Sequence, residues 1–261
     1  RDDFIPGMAA VTERVHRHGA KIALQLHHGG KTAALDRAQG REIWVPSIPQ
    51  VTKSDMMATI TPEELSTFIG IGPHPIRMRV MDKADIAHLV EWFAAAGLRA
   101  QQAGFDGIEI HGAHTYILAG FLSPYYNQRD DEYGGPLENR ARLLLDVLRA
   151  VKERVGADFP VWVRLDSEEM HTPGGITLQD AIATAKLCEA AGAAAISVSA
   201  YATLTKGVDF TDAPIPQKPM AYLSNAAAIK EAVNIPIIAA GRIEPDEATD
   251  AIAEEKIDFV A

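Results

Sequence analysis

Six short apolar runs, rich in β-branched residues, recur along the chain with helix-patterned stretches between them. This alternation restricts the folds open to it. The runs are Lys21–His27, Gly107–His111, Pro160–Asp166, Ala194–Ser199, Pro236–Ala240 and Asp258–Ala261. Each is nearly continuous in hydrophobicity, the pattern of a parallel strand covered on both faces. Between them, Asp82–Ala103 spaces Ile86, Leu89, Val90, Phe93 and Leu98 along one helical face. Leu137–Val155 does the same with Leu143, Leu144, Val147, Leu148 and Val151, and Leu178–Ala191 and Asp246–Glu255 follow suit. A further helix, Pro6–Arg17, precedes the first strand. Thr177 with Asp180 reads as a cap and its partner, and Pro245 suits a first helical turn. Gly19, Gly104, Gly156 and Gly192 fall where helices should stop.

Strands alternating with helices imply βαβ units and a parallel sheet. An open doubly wound sheet would carry a GxGxxG loop after an early strand, and none occurs. The expected fold is therefore α/β, a (β/α)8 TIM barrel that is incomplete, with about six of eight strands in this chain. The 261 residues form one partial barrel domain, 1–261, with a long loop insertion at about 32–80. That insertion holds Pro46, Pro49, Pro62, Pro73 and Pro75 and no clear strand–helix unit. It could be a solvated or disordered insertion; because it leaves the C-terminal end of a strand, a loop over the active-site mouth is the expected reading.

Charge and cysteine content narrow the partners. A formal net charge of -10 argues against binding nucleic acid or an anionic membrane, both of which need clustered Lys and Arg. No uncharged apolar run reaches the roughly 18 residues of a membrane span, and no signal peptide is visible. The single cysteine, Cys188, rules out a disulfide framework or a Cys-rich metal centre within the chain. A cytoplasmic protein acting on a small-molecule substrate is expected.

Reactive groups of a β/α barrel gather at the C-terminal ends of its strands. Those ends carry Gln25, His27, His28, His111, His114, Arg164, Asp166, Ser199, Gly241 and Arg242. His111 and His114 form an H-x-x-H pair able to give two hydrogen bonds to one substrate oxygen. The same pair could ligate a metal, which would need a third ligand, or one ring could be structural. Tyr116 could deliver a proton or simply pack. Arg164, inside an apolar strand, needs an anion: Glu109, Asp166, or a bound cofactor or substrate. Gln25 offers a donor and an acceptor together, which suits a pyrimidine-like edge or an ordinary interior hydrogen bond. Gly241 and Arg242 close the strand end where barrels often hold a phosphate.

Taken in order, GFDGIEIHGAHTYILAGFLSPYYNQRDDEYGGPLENRAR (Gly104–Arg142), HGAKIALQLHHGGK (His18–Lys31), VWVRLDSEE (Val161–Glu169) and IPIIAAGRIEPDEA (Ile235–Ala248) resemble the old yellow enzyme family, the NADH:flavin oxidoreductases. The form GAHTYILAGFLSPYYNQR is most similar to the large branch of dienoyl-CoA, enoate and bile-acid reductases and trimethylamine dehydrogenase. The resemblance implies an enzyme with FMN at the barrel mouth, reduced by NADH or NADPH. It implies Gln25 on the flavin pyrimidine edge, Arg164 near N1 and O2, and Gly241 and Arg242 on the phosphate. His111 and His114 would grip a substrate carbonyl oxygen and Tyr116 would protonate the adjacent carbon. The implied reaction is reduction of an activated C=C bond of an α,β-unsaturated carbonyl compound. An FMN-dependent amine dehydrogenase and a noncatalytic barrel fragment are the alternatives. The family's first two strands are absent, and the chain stops before the glycine–arginine pair that usually completes the phosphate site. A 4Fe-4S cluster and FAD would belong to parts beyond this chain. The resemblance leaves room for a homo-oligomer.

Overall fold

A computed structural model describes residues 1–49, 77–170, 172–202 and 219–261. The six expected strands form one parallel sheet. They are β1 (Ala23–Leu26), β4 (Gly107–Gly112), β5 (Val161–Met170), β6 (Ile196–Ala202), β7 (Ile237–Ala239) and β8 (Phe259–Val260), in the spatial order β1-β4-β5-β6-β7-β8. All these pairings are parallel, so all C-terminal ends lie along one edge. Among the described residues β1 and β8 each have a neighbour on one side only. The sheet is a half-barrel, as the strand count predicts.

The helices are α1 (Ile5–His16), α2 (Ala34–Ala38), α3 (Lys83–Gln102), α4 (Ile117–Leu122), α5 (Leu137–Val155), α6 (Leu178–Ala190), α7 (Leu223–Lys230) and α8 (Pro245–Ala253). Their apolar stripes bury the outer face of the sheet. Ile108, Ile110, Val161, Val163, Leu165, Ile196 and Val198 share one core with Phe93, Leu144, Leu148 and Val151. Each such buried aliphatic stabilises the fold by about 1.5–3 kcal/mol relative to leaving it exposed. Caps fix the helix starts. Thr177 and Asp180 form the expected reciprocal pair on α6, and Asp82 and Asp85 form one on α3.

The side-chain period of two turns the alternate strand residues towards the barrel interior. Glu109 and His111 on β4 and Trp162 and Arg164 on β5 alternate with the core residues Ile108, Ile110, Val161 and Val163. Register aligns Gln25 with Glu109, Glu109 with Trp162, and His111 with Arg164. The interior therefore carries polar groups in successive layers.

The insertion departs from a structureless loop. Its described part contains the short helix α2 and a parallel pair, β2 (Ile43–Val45) and β3 (Met78–Val80). Three-residue strands are too short to show a period in sequence. They hold because Ile43 and Val45 are buried. Trp44 stacks between His28 and Trp92, at 5.8 Å and 5.2 Å between ring centres. Residues 50–76 of the insertion, including Pro62, Pro73 and Pro75, lie outside the described residues.

Candidate active site

The turn after β4 builds the site. His114 (φ 59) and Thr115 (φ 54) both adopt left-handed backbone conformations, at about 1–3 kcal/mol each for a non-glycine residue. The carboxylate of buried Asp166 holds the turn by accepting the His114 backbone N–H at 2.7 Å. From the other side, the loop after β1 presses against it. The Ile117 backbone N–H donates to the His28 carbonyl at 3.1 Å. Gly30 (φ +52) packs so closely there that a Cβ would lie 2.9 Å from the Ile117 nitrogen. Tyr116 is thus set at the N-cap of α4.

Four rings converge on this turn. His111 and His114 meet edge to face at 4.8 Å between centres, and His111 and Tyr116 also at 4.8 Å. His27 lies 5.0 Å from Tyr116 and 6.1 Å from His111. The structure brings His111, His114 and Tyr116 into one cluster, with His27 as a fourth member. His111 Nδ1 accepts from the Ala113 N–H at 3.2 Å, which puts the proton of a neutral ring on Nε2. Burial, and secondarily the charges of His114 and Arg164, lower the His111 pKa to about 3. His111 is therefore a neutral donor near pH 7. Among the described residues no cluster of three His, Cys, Asp or Glu comes together as a metal site would need.

Ser199 connects the cluster to Arg164. Its hydroxyl lies 3.0 Å from His114 Nε2, and Arg164 Nε donates to it at 3.4 Å. One layer down, Glu109 accepts from Trp162 Nε1 at 2.9 Å and from the Gln25 amide. Glu109 was one candidate partner for Arg164; the structure gives its two oxygens to Gln25 and Trp162 instead. Gly241 (φ 120) and Arg242 (φ 54) follow β7 on the same edge of the sheet. They stand apart from the ring cluster, two strands beyond β5.

Sequence reasoning named Ser199 only as a strand-end residue, and Asp166 as one and as a possible partner of Arg164; their contacts with His114 appear once the strands are in register. It passed over Lys31, Tyr126, Glu169 and Tyr201. Lys31 Nζ lies 4.1 Å from the Tyr126 ring centre and 5.9 Å from that of Tyr201. The one sequence signal for this group is a lysine directly after two glycines at a strand end.

A parallel half-barrel with a polar ring cluster at the C-terminal ends of its strands defines the site-bearing portion of a β/α barrel of the enzyme type. Comparison gives the family: residues 1–261 match the NADH:flavin oxidoreductase / NADH oxidase family, and the chain belongs to it. Among relatives, an "NADH oxidase" of Thermoanaerobacter brockii is 36% identical over 100% of this chain and 37% of its own length. An "NADPH dehydrogenase" of Halalkalibacterium halodurans is 35% identical over 99% of this chain and 67% of its own. A "cinnamate reductase" of Clostridium sporogenes is 34% identical over 99% and 38% respectively. Among solved structures, 2-naphthoyl-CoA reductase superposes with a TM-score of 0.80 at 26% identity, covering 100% of this chain and 38% of that one. Histamine dehydrogenase from Rhizobium sp. 4-9 does so with a TM-score of 0.77 at 26% identity, covering 100% and 35%. The chain thus spans little more than a third of several of these relatives. No helix among the described residues is long and apolar enough to cross a membrane.

Proposed function

We propose that this chain supplies the substrate-activating part of an FMN-dependent oxidoreductase that reduces the activated C=C bond of an α,β-unsaturated carbonyl compound, with NADH or NADPH as electron source. The observation that carries this reading is the edge-to-face cluster of His111, His114 and Tyr116, with His111 held neutral by burial. Membership of the flavin oxidoreductase family and the likeness to a cinnamate reductase support it.

The donor set on the same edge suits a flavin mononucleotide. Arg164 offers a cation to the electron-rich pyrimidine edge and Gln25 an amide. Gly241, at φ 120, puts no side chain in the way of a phosphate at the strand end, and Arg242 adds charge. FMN, when bound, would supply a hydride to the alkene carbon remote from the carbonyl.

The chain's own residues do the rest. His111 Nε2–H is one donor to the substrate oxygen. His114 turns Nε2 to the Ser199 hydroxyl, 3.0 Å away, and its other ring nitrogen, when it carries the proton, is the second donor. The same hydroxyl also reaches the Leu165 carbonyl at 3.4 Å. Two fixed donors stabilise the negative charge that builds on the oxygen as the alkene is reduced. Tyr116 then gives its phenolic proton to the carbon beside the carbonyl.

Oxidation of an amine is the second reading, favoured by the likeness to histamine dehydrogenase. The ammonium of Lys31, which lines a recess together with Tyr116, disfavours a cationic substrate there.

A phenol titration of the FMN-loaded protein tests the assignment. Phenolates mimic the enolate-like oxygen and should bind with a new long-wavelength absorption band. His114→Ala should weaken that binding by about tenfold or more, as loss of a hydrogen bond to a charged oxygen does. Unchanged affinity would remove His114 from the oxygen-binding pair.

A further inference from the structure

Lys31 has no part in the chemistry described so far, and its surroundings are unusual for a lysine. Its ammonium meets the ring faces of Tyr126, at 4.1 Å, and Tyr201, at 5.9 Å. Ring faces attract a cation without accepting all three of its N–H donors. The side chain lines one small recess with Thr115, Tyr116, Gly120 and Tyr126, so it shares a wall with a residue of the reacting cluster. Gly30 fixes that relation by pressing the loop onto the start of α4.

The carboxylate acting on Lys31 is Glu169, and it is committed elsewhere. Glu169 Oε2 accepts from Ser123 Oγ at 2.6 Å and from the Ile176 N–H at 2.8 Å. Its Oε1 is buried with no hydrogen-bond partner, and burial raises its pKa towards the neutral form. Burial lowers Lys31 to about 8, with Glu169 opposing the shift, so the lysine is still mostly charged near pH 7. A part-buried ammonium whose neighbouring carboxylate is held by Ser123 and the Ile176 N–H, with no hydrogen bond to the lysine, favours the arrival of an anion.

We propose that Lys31 receives a carboxylate carried by the substrate, so that the preferred substrates are α,β-unsaturated carbonyl compounds with a second, anionic end. The inference rests on the reductase reading and adds the charge of the substrate to it. The neutral oxygen is held at His111 and His114; the anionic end lies on the Tyr116–Lys31 side.

Trans-acetylacrylate and its methyl ester share one enone and differ only in this charge. Calorimetric titration of each into the oxidised, FMN-loaded protein, without NAD(P)H, reads the difference without turnover. The acid should bind about ten- to a hundredfold tighter than the ester, the range for a charge-assisted hydrogen bond. Lys31→Met should bring that ratio to about one, and Lys31→Arg should keep it; Lys31→Gln replaces the methionine variant if that one does not fold. Equal affinities in the parent protein would overturn the proposal. So would an unchanged ratio in Lys31→Met, because a lysine serving only Glu169 would alter both ligands alike. If the ester is bound and then reduced on adding NADPH, the reductase reading stands whatever the ratio. If neither ligand binds, both readings fall.

Discussion

Ser199 Oγ lies 3.0 Å from His114 Nε2, although the two residues belong to elements separated by the whole of β5. Parallel register makes this possible. Ser199 is paired with Asp166 on β5, and Asp166 in turn holds the His114 backbone at 2.7 Å. One strand end therefore fixes the main chain of His114 and the next orients its ring. Ser199→Ala should release the ring. The lost neutral hydrogen bond corresponds to about 1 kcal/mol, or roughly a fivefold fall in kcat/KM with an enone. Nitrogen NMR of the His114 ring should show a mixed tautomer where the parent protein shows one. A variant with parental kinetics and a single tautomer would exclude Ser199 from orienting His114.

The depressed pKa of His111 ties stability to pH. In the unfolded chain the imidazole takes up a proton near its ordinary value of roughly 6.5; in the fold it resists protonation down to about 3. Between those values the unfolded state binds more protons, so stability falls as pH drops through the window. The slope from this one group reaches up to about 1.4 kcal/mol per pH unit. Denaturant melts at pH 4 and pH 7 should therefore differ less for His111→Asn than for the parent protein. An equal pH dependence in the two would show that His111 is not the group responsible.

Gly30 carries two constraints at once, a φ of +52 and a neighbour 2.9 Å from where a Cβ would stand. Gly30→Ala cannot relax without moving the start of α4, and Tyr116 with it. A stability loss of about 1–3 kcal/mol is expected from the backbone conformation alone. Thermal melts check the stability. Enone reduction should fall further than the fraction unfolded accounts for, since Tyr116 shifts with the helix. A variant as stable as its parent would mean the loop does not clamp the turn.

Much of this was legible before the strands were placed in space. The six strands announce themselves as continuous apolar runs; β4, β5 and β6 are mostly buried, whereas β1 and β8, at the two ends of the sheet, are part-exposed, Phe259 at 56%. Thr177, Asp180 and Pro245 mark helix starts through local hydrogen bonding and ring geometry, which need no tertiary contact. Other elements carry no such signal. Every residue of α4, Ile117–Leu122, is buried, so it shows no amphipathic period. The helix α7, Leu223–Lys230, is largely alanine and small polar residues, with little contrast between its faces. At the site, His111, His114 and Tyr116 stood out through their spacing at a strand end. The Asp166 and Ser199 contacts depend on inter-strand register, and the Lys31–Tyr126–Tyr201 group joins the loop after β1, the turn after α4 and the end of β6. No local pattern encodes either.

Anaerobic reoxidation of the reduced flavin tests the central claim most directly. The FMN-loaded protein is first reduced with NADPH and then mixed with cyclohexenone. The account predicts that the oxidised flavin absorbance returns as the saturated ketone forms, and that Tyr116→Phe slows this phase by about a hundredfold, within the usual contribution of general acid catalysis. A flavin that stays reduced in the presence of enones, but whose oxidised form is reduced by amines, would contradict it.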